Sequence, residues 1–327
     1  MLLFLSAQLI LMFCIEQKSD NGFSLVILRD ITTSTYVEII PSCGAILHSF
    51  NVLQDKQTIN VIHSYRNATE FADKAEESGF LGCKLSPFVC RLNNGAYSFG
   101  QDDFKIEKFY LGNHALHGLL YNQNFEIIDQ RADEQKAMIS MRFEYRGSDP
   151  GYPFSYDCVV TYELHRNNRL SVITTVVNRD EGLIPIADGW HPYFTFGTDI
   201  SELQLEFQSD KIVVFDEELI PTGELNDYEE YGSLKLIGDA SFDHCFRLNF
   251  AECQPVCVLR DPTKKLSIEI SPDPSYPYLQ IYSPPDRKSI AIENLSAAPD
   301  AFNNGIGVKV LNPAESVTFK TAYKITA

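Results

Sequence analysis

Five short segments of this chain carry ionisable and ring-bearing residues where plain turns would serve: CRLNNGAYSF (90–99), NHALHG (113–118), GWHPYFTFG (189–197), SFDHCF (241–246) and IENLSAAPDAFNNG (292–305). Among them they hold Arg91, His117, His191, Asp243 and Glu293. Imidazoles and carboxylates are the side chains that move protons near neutral pH, and the planar fork of an arginine suits neighbouring oxygens. Residues of these types at loops and strand ends of a rigid β framework are the usual material of a catalytic site. No segment decides alone, because a single His beside a strand is often hydrogen-bonded structure and an Asp often caps a turn.

The elements that must position these residues read as strands. From Phe23 onward, short β-prone runs alternate with turn residues, as in SLVILRD, TYVEIIP, AILHSFNVL, LQLEFQSDKIVVFD and SVTFKTAYKITA. Two hairpins are expected: SYDCVVTYEL and RLSVITTVVN about the turn HRNN, and PVCVLRD and LSIEISPD about Pro262–Lys265. The segment from Ala72 to Phe80 is the best candidate for a short helix. No linker or composition break divides residues 21–327, and no short repeat points to a propeller or solenoid. The pattern predicts one all-β domain, a large antiparallel β-sandwich.

Composition sets further bounds. The chain has 327 residues, 44% of them hydrophobic and 22% charged, which is ample material for a core. Its net charge of −17 repels polyanions, so neither nucleic acid nor an anionic membrane surface is an expected partner. The eight cysteines are scattered without a C-x-x-C pair or zinc-type spacing, so buried free thiols in a reducing, cytoplasmic setting are expected and a structural metal is not. Residues 1–20 stand apart. The apolar run MLLFLSAQLILMFC is too short to span a bilayer and lacks a basic flank. It reads equally as a degenerate export or lipoprotein signal, an extra N-terminal strand, or an extension upstream of a start at Met12.

The succession of motifs resembles the aldose 1-epimerases, or galactose mutarotases, from about Asn21 to Ala327. The resemblance rests on RLNNGAYSF followed by LHG, then GYPFSYDCVVTYEL, VVNRDEGLIPIADGWHPYF, LIPTGEL with FDHCF, and IENLSAAPDAFNNG, in that order. It implies the galactose mutarotase-like super-sandwich and an isomerase acting on the anomeric centre of a free sugar. By the same resemblance Glu293 would be the general base and His191 the general acid, with His117, Arg91, Asp243 and Gln280 holding the sugar. The family commonly has Asn before this arginine, and here the residue is Cys90. GWHPYF and SPFVCRL are closer to divergent bacterial mutarotase-related proteins, which leaves the choice of sugar open.

Exchanging α and β anomers means removing the C1 hydroxyl proton while protonating the ring oxygen, so that the hemiacetal opens, turns and recloses. A carboxylate and an imidazolium on opposite sides of the ring suit that step, with His117 and Arg91 stabilising developing charge. No metal or organic cofactor is needed. Of Trp190, Tyr193 and Phe194, one could pack on a pyranose face and at least two are expected in the core. Two alternatives remain open. A hexose-6-phosphate mutarotase would need a cationic pocket, for which Lys84, Arg91 and Arg287 are the candidates. A non-catalytic carbohydrate-binding protein could share the fold. A glycoside hydrolase would want two carboxylates, and the matched pair is one carboxylate and one histidine. His48, His63, His114, His165 and His244 are read as structural, and a glycan on Asn294 is discounted because it would block Glu293.

Overall fold

The computed structural model describes residues 12–252 and 254–327. Two nine-stranded sheets and a five-stranded sheet form its frame, with antiparallel pairing between the strands. The centre of the first large sheet runs Lys136–Arg146, Ser155–His165, Arg169–Asn178, Ser316–Thr326 and Leu266–Ile270. Both expected hairpins are present, pairing Ser155–His165 with Arg169–Asn178 and Cys257–Asp261 with Leu266–Ile270. The first turns at Asn167 and Asn168, which adopt left-handed φ of 61° and 54°, a conformation that asparagine tolerates better than most side chains. Along Arg169–Asn178, Leu170, Val172, Thr174 and Val176 are buried while the intervening Ile173, Thr175 and Val177 are only half-buried, the period of two that pins the register.

The second large sheet carries the functional residues. Its order is Pro221–Asp227, Ser209–Phe215, Asp243–Leu248, Tyr278–Tyr282, Ile290–Leu295, Gly189–Trp190 and Lys84–Leu85, with Tyr193–Phe194 bridging Ile290–Leu295 to Ile62–His63. Ile290–Leu295 is buried on both faces. Ile290 and Ile292 join Leu279, Ile281, Val160 and Val172 in the core between the two large sheets. Two polar contacts cross that core: Thr321 donates to Asn294 Oδ1 at 2.7 Å, and Trp190 Nε1 donates to Thr174 at 3.3 Å. The alternate positions on the same strands, Ala291, Glu293 and Leu295, therefore point away from the core. With the amide of Asn294 fully buried and bonded to Thr321, that sequon is closed to a glycan.

Phe13–Asp20 pairs along its length with Phe23–Asp30 in the five-stranded sheet, through a turn at Asn21 and Gly22 that both take positive φ. Of the apolar run 1–14, Phe13 and Cys14 open this strand, and residues 1–11, on which the signal, extra-strand and upstream-extension readings fall, lie outside the described ones. The short helix lies at Ala68–Lys74, four residues earlier than expected. Asn67 starts it by accepting the Glu70 amide at 2.8 Å, a capping signal that outweighs the acidic run that follows. The seven described cysteines are free thiols, all buried except Cys14. No helix among the described residues is long and apolar enough to cross a membrane.

Candidate active site

Register alone assembles most of the site. Gln280 stands opposite Glu293, Cys245 opposite Gln280, and Asp243 two positions along from Cys245, so one sheet face carries Asp243, Gln280 and Glu293 together. Gln280 Nε2 donates to Asp243 Oδ1 at 2.9 Å. Gly189 and Trp190 pair with Leu295 and Asn294, and Tyr193 with Ala291, which sets His191 beside Glu293. Gly189 suits this close pairing, because a Cβ would lie 2.7 Å from Leu295 Cδ2 and 3.1 Å from the Asn294 carbonyl oxygen. The His191 backbone is clamped on both sides, its amide donating to Cys83 and its carbonyl accepting from Gly82.

Two loops close the site from the other side. Cys90 and His117 both take left-handed φ, 50° and 61°, and the His117 amide donates to the Cys90 carbonyl at 2.9 Å. Such strain persists only where surrounding contacts hold it. Asp300 supplies some of those contacts: its amide donates to the Arg91 carbonyl at 2.8 Å, and its carboxylate accepts from the Asn93 amide and the Asn303 side chain. The motif PDAFNNG thus anchors the loop that presents Arg91.

These elements enclose a cavity of about 270 Å³ lined by all six expected residues, Arg91, His117, His191, Asp243, Gln280 and Glu293. His191 Nε2 lies 3.3 Å from Glu293 Oε1. The expected acid and base are therefore in contact with each other, and both line the cavity. His191 stacks on Tyr193 at 5.0 Å and meets His117 edge-on at 4.9 Å. Three polar atoms of lining residues are buried without a partner: His117 Nδ1, His191 Nδ1 and Gln280 Oε1.

Burial governs the electrostatics. It pushes Glu293 well above the ordinary carboxylate range, helped by the nearby Asp243 charge. It pushes His191 down to about 4, and His117 well below the ordinary histidine value, with His191 and Arg91 adding to the effect on His117. Asp243 is raised by burial against the lowering pull of Arg91. The Cys90 thiol, 4.0 Å from Glu293 Oε2, is held well up by burial and the Glu293 charge.

The remaining expectations divide. Trp190 and Phe194 belong to the core, and Tyr193 lines the cavity. Lys84 is fully buried against Asp188 at 2.6 Å, and the Arg287 guanidinium donates to the Gly238 and Ala240 carbonyls, so neither lines the cavity. His114 and His244 accept backbone amides, from Asn94 and Asp243. Sequence reasoning missed Phe80, Tyr282, Glu76 and Glu77 in the lining. Tyr282 had a signal, since it shares the face of Gln280 two residues on. The others come from the loop after the short helix, whose path no local pattern reveals.

Residues 30–324 match the model of the aldose 1-epimerase family. The chain is 27% identical to the uncharacterized protein YihR of Escherichia coli over 71% of this chain and 74% of that one. It is 23% identical to an aldose 1-epimerase of Streptococcus thermophilus, covering 95% and 93% of the two chains. Among solved structures, a galactose mutarotase-like protein from Clostridium acetobutylicum superposes with a TM-score of 0.83 at 19% identity, over 96% of this chain and 98% of that one. A galactose 1-epimerase from Lactobacillus acidophilus gives 0.79 at 19% identity, over 96% and 98%. At these identities the structural likeness speaks for the fold, a galactose mutarotase-like super-sandwich.

Proposed function

From the premise that this chain belongs to the aldose 1-epimerase family, we propose that it is an isomerase interconverting the α and β anomers of a free hexose of the glucose or galactose type. The observation that carries the proposal is the buried carboxylate–imidazole contact of Glu293 with His191 at 3.3 Å, in a cavity also lined by Arg91, His117, Asp243 and Gln280. The two oxygens that exchange protons in mutarotation are both bonded to C1. A base and an acid in contact can each reach one of them.

Glu293 as carboxylate removes the C1 hydroxyl proton while His191 as imidazolium protonates the ring oxygen, breaking the C1–O5 bond. Rotation about C1–C2 then presents the other face of the aldehyde, and the two residues reverse their roles to reclose the ring. Burial favours the neutral forms of both, so the resting pair holds one proton on Glu293. The zwitterionic tautomer with the same proton count is the one that attacks, reached as the sugar's hydroxyls bond to both groups. Arg91 and His117 face the oxygens on which charge develops, and Gln280 with Asp243 offers a donor and acceptor pair for ring hydroxyls.

The phosphorylated-sugar alternative loses two of its three candidate cations, Lys84 and Arg287, to internal contacts. A purely binding role leaves the buried acid–base contact without a purpose. The test is polarimetry: α-D-glucose and α-D-galactose are dissolved separately and followed with wild type, Glu293→Gln and His191→Asn. Wild type should speed the approach to an unchanged final rotation and both variants should not. Unchanged curves with wild type for both sugars would overturn the proposal.

A further inference from the structure

The two carboxyl oxygens of Glu293 meet two different side chains. Oε1 faces His191 Nε2 at 3.3 Å, and Oε2 faces the Cys90 thiol at 4.0 Å. The proton transfers proposed above use the first contact and leave the second without a role. Gln280, which stands opposite Glu293 on the next strand, spends its amide on Asp243 at 2.9 Å. Among the described residues, Cys90 alone meets Oε2.

The place of the thiol is fixed from both sides. Cys90 takes left-handed φ of 50°, its carbonyl accepts the His117 amide at 2.9 Å, and the carbonyl of the adjoining Arg91 accepts the Asp300 amide at 2.8 Å. Strain of this kind at a residue with a side chain is kept where the position of that side chain matters. Cys90 is buried in a cluster with Phe80, Leu116 and Cys245, which shields Oε2 from solvent on that side.

The chemistry of a thiol suits that place. As a base, Glu293 alternates between carboxylate and carboxylic acid in every turnover. An amide N–H would bond to the carboxylate and hold it charged, whereas a carbonyl would bond only to the acid. A thiol is a weak donor and a weak acceptor, so it can face either form at little cost. Burial and the Glu293 charge keep the Cys90 proton in place, so the partner stays neutral. The other titratable groups around Glu293 are His191 and Tyr193 from one segment, Asp243 and Cys245 from a second and Cys83 from a third. Arg91 stands beside Asp243, and His117 beside His191.

We infer that Cys90 is a positioning residue for proton transfer: its thiol holds the second carboxyl oxygen of Glu293 in place in both protonation states without favouring the charged one. The inference rests on the proposed mutarotase reading and assigns no contact between Cys90 and the sugar.

Infrared spectroscopy and polarimetry with glucose test it, on wild type, Cys90→Asn and Cys90→Ala. Asparagine tolerates left-handed backbone and brings an N–H long enough to reach Oε2. The protonated-carboxyl band that Glu293→Gln removes should titrate about one pH unit lower in Cys90→Asn than in wild type, and the alkaline limb of kcat/KM should move with it. Cys90→Ala leaves Oε2 without a partner. Its band should not move down, while kcat falls about tenfold, because the carboxyl is free to turn, and KM changes little. A thiol that only fills space would lower the melting temperature in both variants and leave the band and the limb where they are. That result, or an unchanged kcat in Cys90→Ala, refutes the inference while an active wild type keeps the mutarotase reading. If wild type equilibrates neither glucose nor galactose, that reading fails and the inference fails with it.

Discussion

At the scale of single residues, the pairing of Glu293 with His191 dictates an unusual pH dependence. Below about 4, the value to which burial pushes His191, both groups are protonated and no base remains. Above the raised value of Glu293, the pair has lost its proton and no acid remains. Between these limits the pair holds one proton whichever group carries it. The profile of kcat/KM, which reports the free enzyme, should therefore fall on the acid side only near about pH 4 and on the alkaline side where Glu293 loses its proton, above the usual carboxylate range. An acid limb at the ordinary histidine value of about 6.5 would show that His191 titrates as a solvated side chain, and the buried pair would be the wrong description. Within the plateau, Glu293→Gln should lower kcat by about 10²- to 10⁴-fold, the usual contribution of a positioned acid–base group. Its KM should change little, since the amide keeps the shape and most of the hydrogen bonding. A change confined to KM would make Glu293 a binding residue.

At the scale of elements, the strands that hold the pair depend on contacts far less visible in the sequence. Lys84 and Asp188 form a fully buried ion pair at 2.6 Å between neighbouring strands, with Lys84 also 4.5 Å over the Trp190 ring and the Tyr276 hydroxyl donating to Asp188. Removing one partner strands a buried charge, so Lys84→Met should cost about 3–5 kcal/mol in denaturant unfolding. Adding Asp188→Asn should return part of that loss, because the amide keeps the Tyr276 contact without a charge to strand. A double variant no more stable than the single one would mean that packing around the Lys84 stem, not the charge, does the holding. Gly79→Ala tests in the same way the contact in which the Tyr193 hydroxyl donates to the Gly79 carbonyl at 2.9 Å, with Gly79 at φ 77°. Left-handed backbone costs a residue with a Cβ about 1–2 kcal/mol, and the displaced Tyr193 hydroxyl disturbs the ring stacked on His191. We expect a lower melting temperature together with a kcat reduced about tenfold, whereas an unchanged kcat would detach Tyr193 from catalysis. These cases mark what was legible in advance. Hairpins such as Ser155–His165 with Arg169–Asn178 announce themselves through alternation and an Asn-rich turn, and five of the six site residues stood in recognisable segments, Gln280 being named through the family resemblance alone. The helix start at Asn67 was missed because the acidic run after it also reads as helical. The Lys84–Asp188 pair, Phe80 and the Tyr193 contact to Gly79 depend on contacts between segments more than a hundred residues apart or on loop paths, and neither has a local pattern.

At the scale of the whole molecule, charge selects among sugars. The chain carries a net charge of −17, and the cavity repeats that sign, with Glu76, Glu77 and Asp243 lining it alongside Arg91. A narrow low-dielectric cleft focuses such a field, so an anionic substrate meets repulsion both on approach and at the site. Glucose, being neutral, meets neither. We therefore expect kcat/KM for glucose 6-phosphate to fall at least about tenfold below that for glucose at low ionic strength. Salt separates this effect from simple steric exclusion. At 0.1 M the screening length is about 10 Å, so added salt should raise the glucose 6-phosphate value and leave the glucose value unchanged. If the phosphate ester were too large for the cavity, its rate would stay low at every salt concentration. If it were instead the better substrate at low salt and slowed as salt rises, a cationic surface would be capturing it, and the preference for neutral sugars argued from the lining would be wrong.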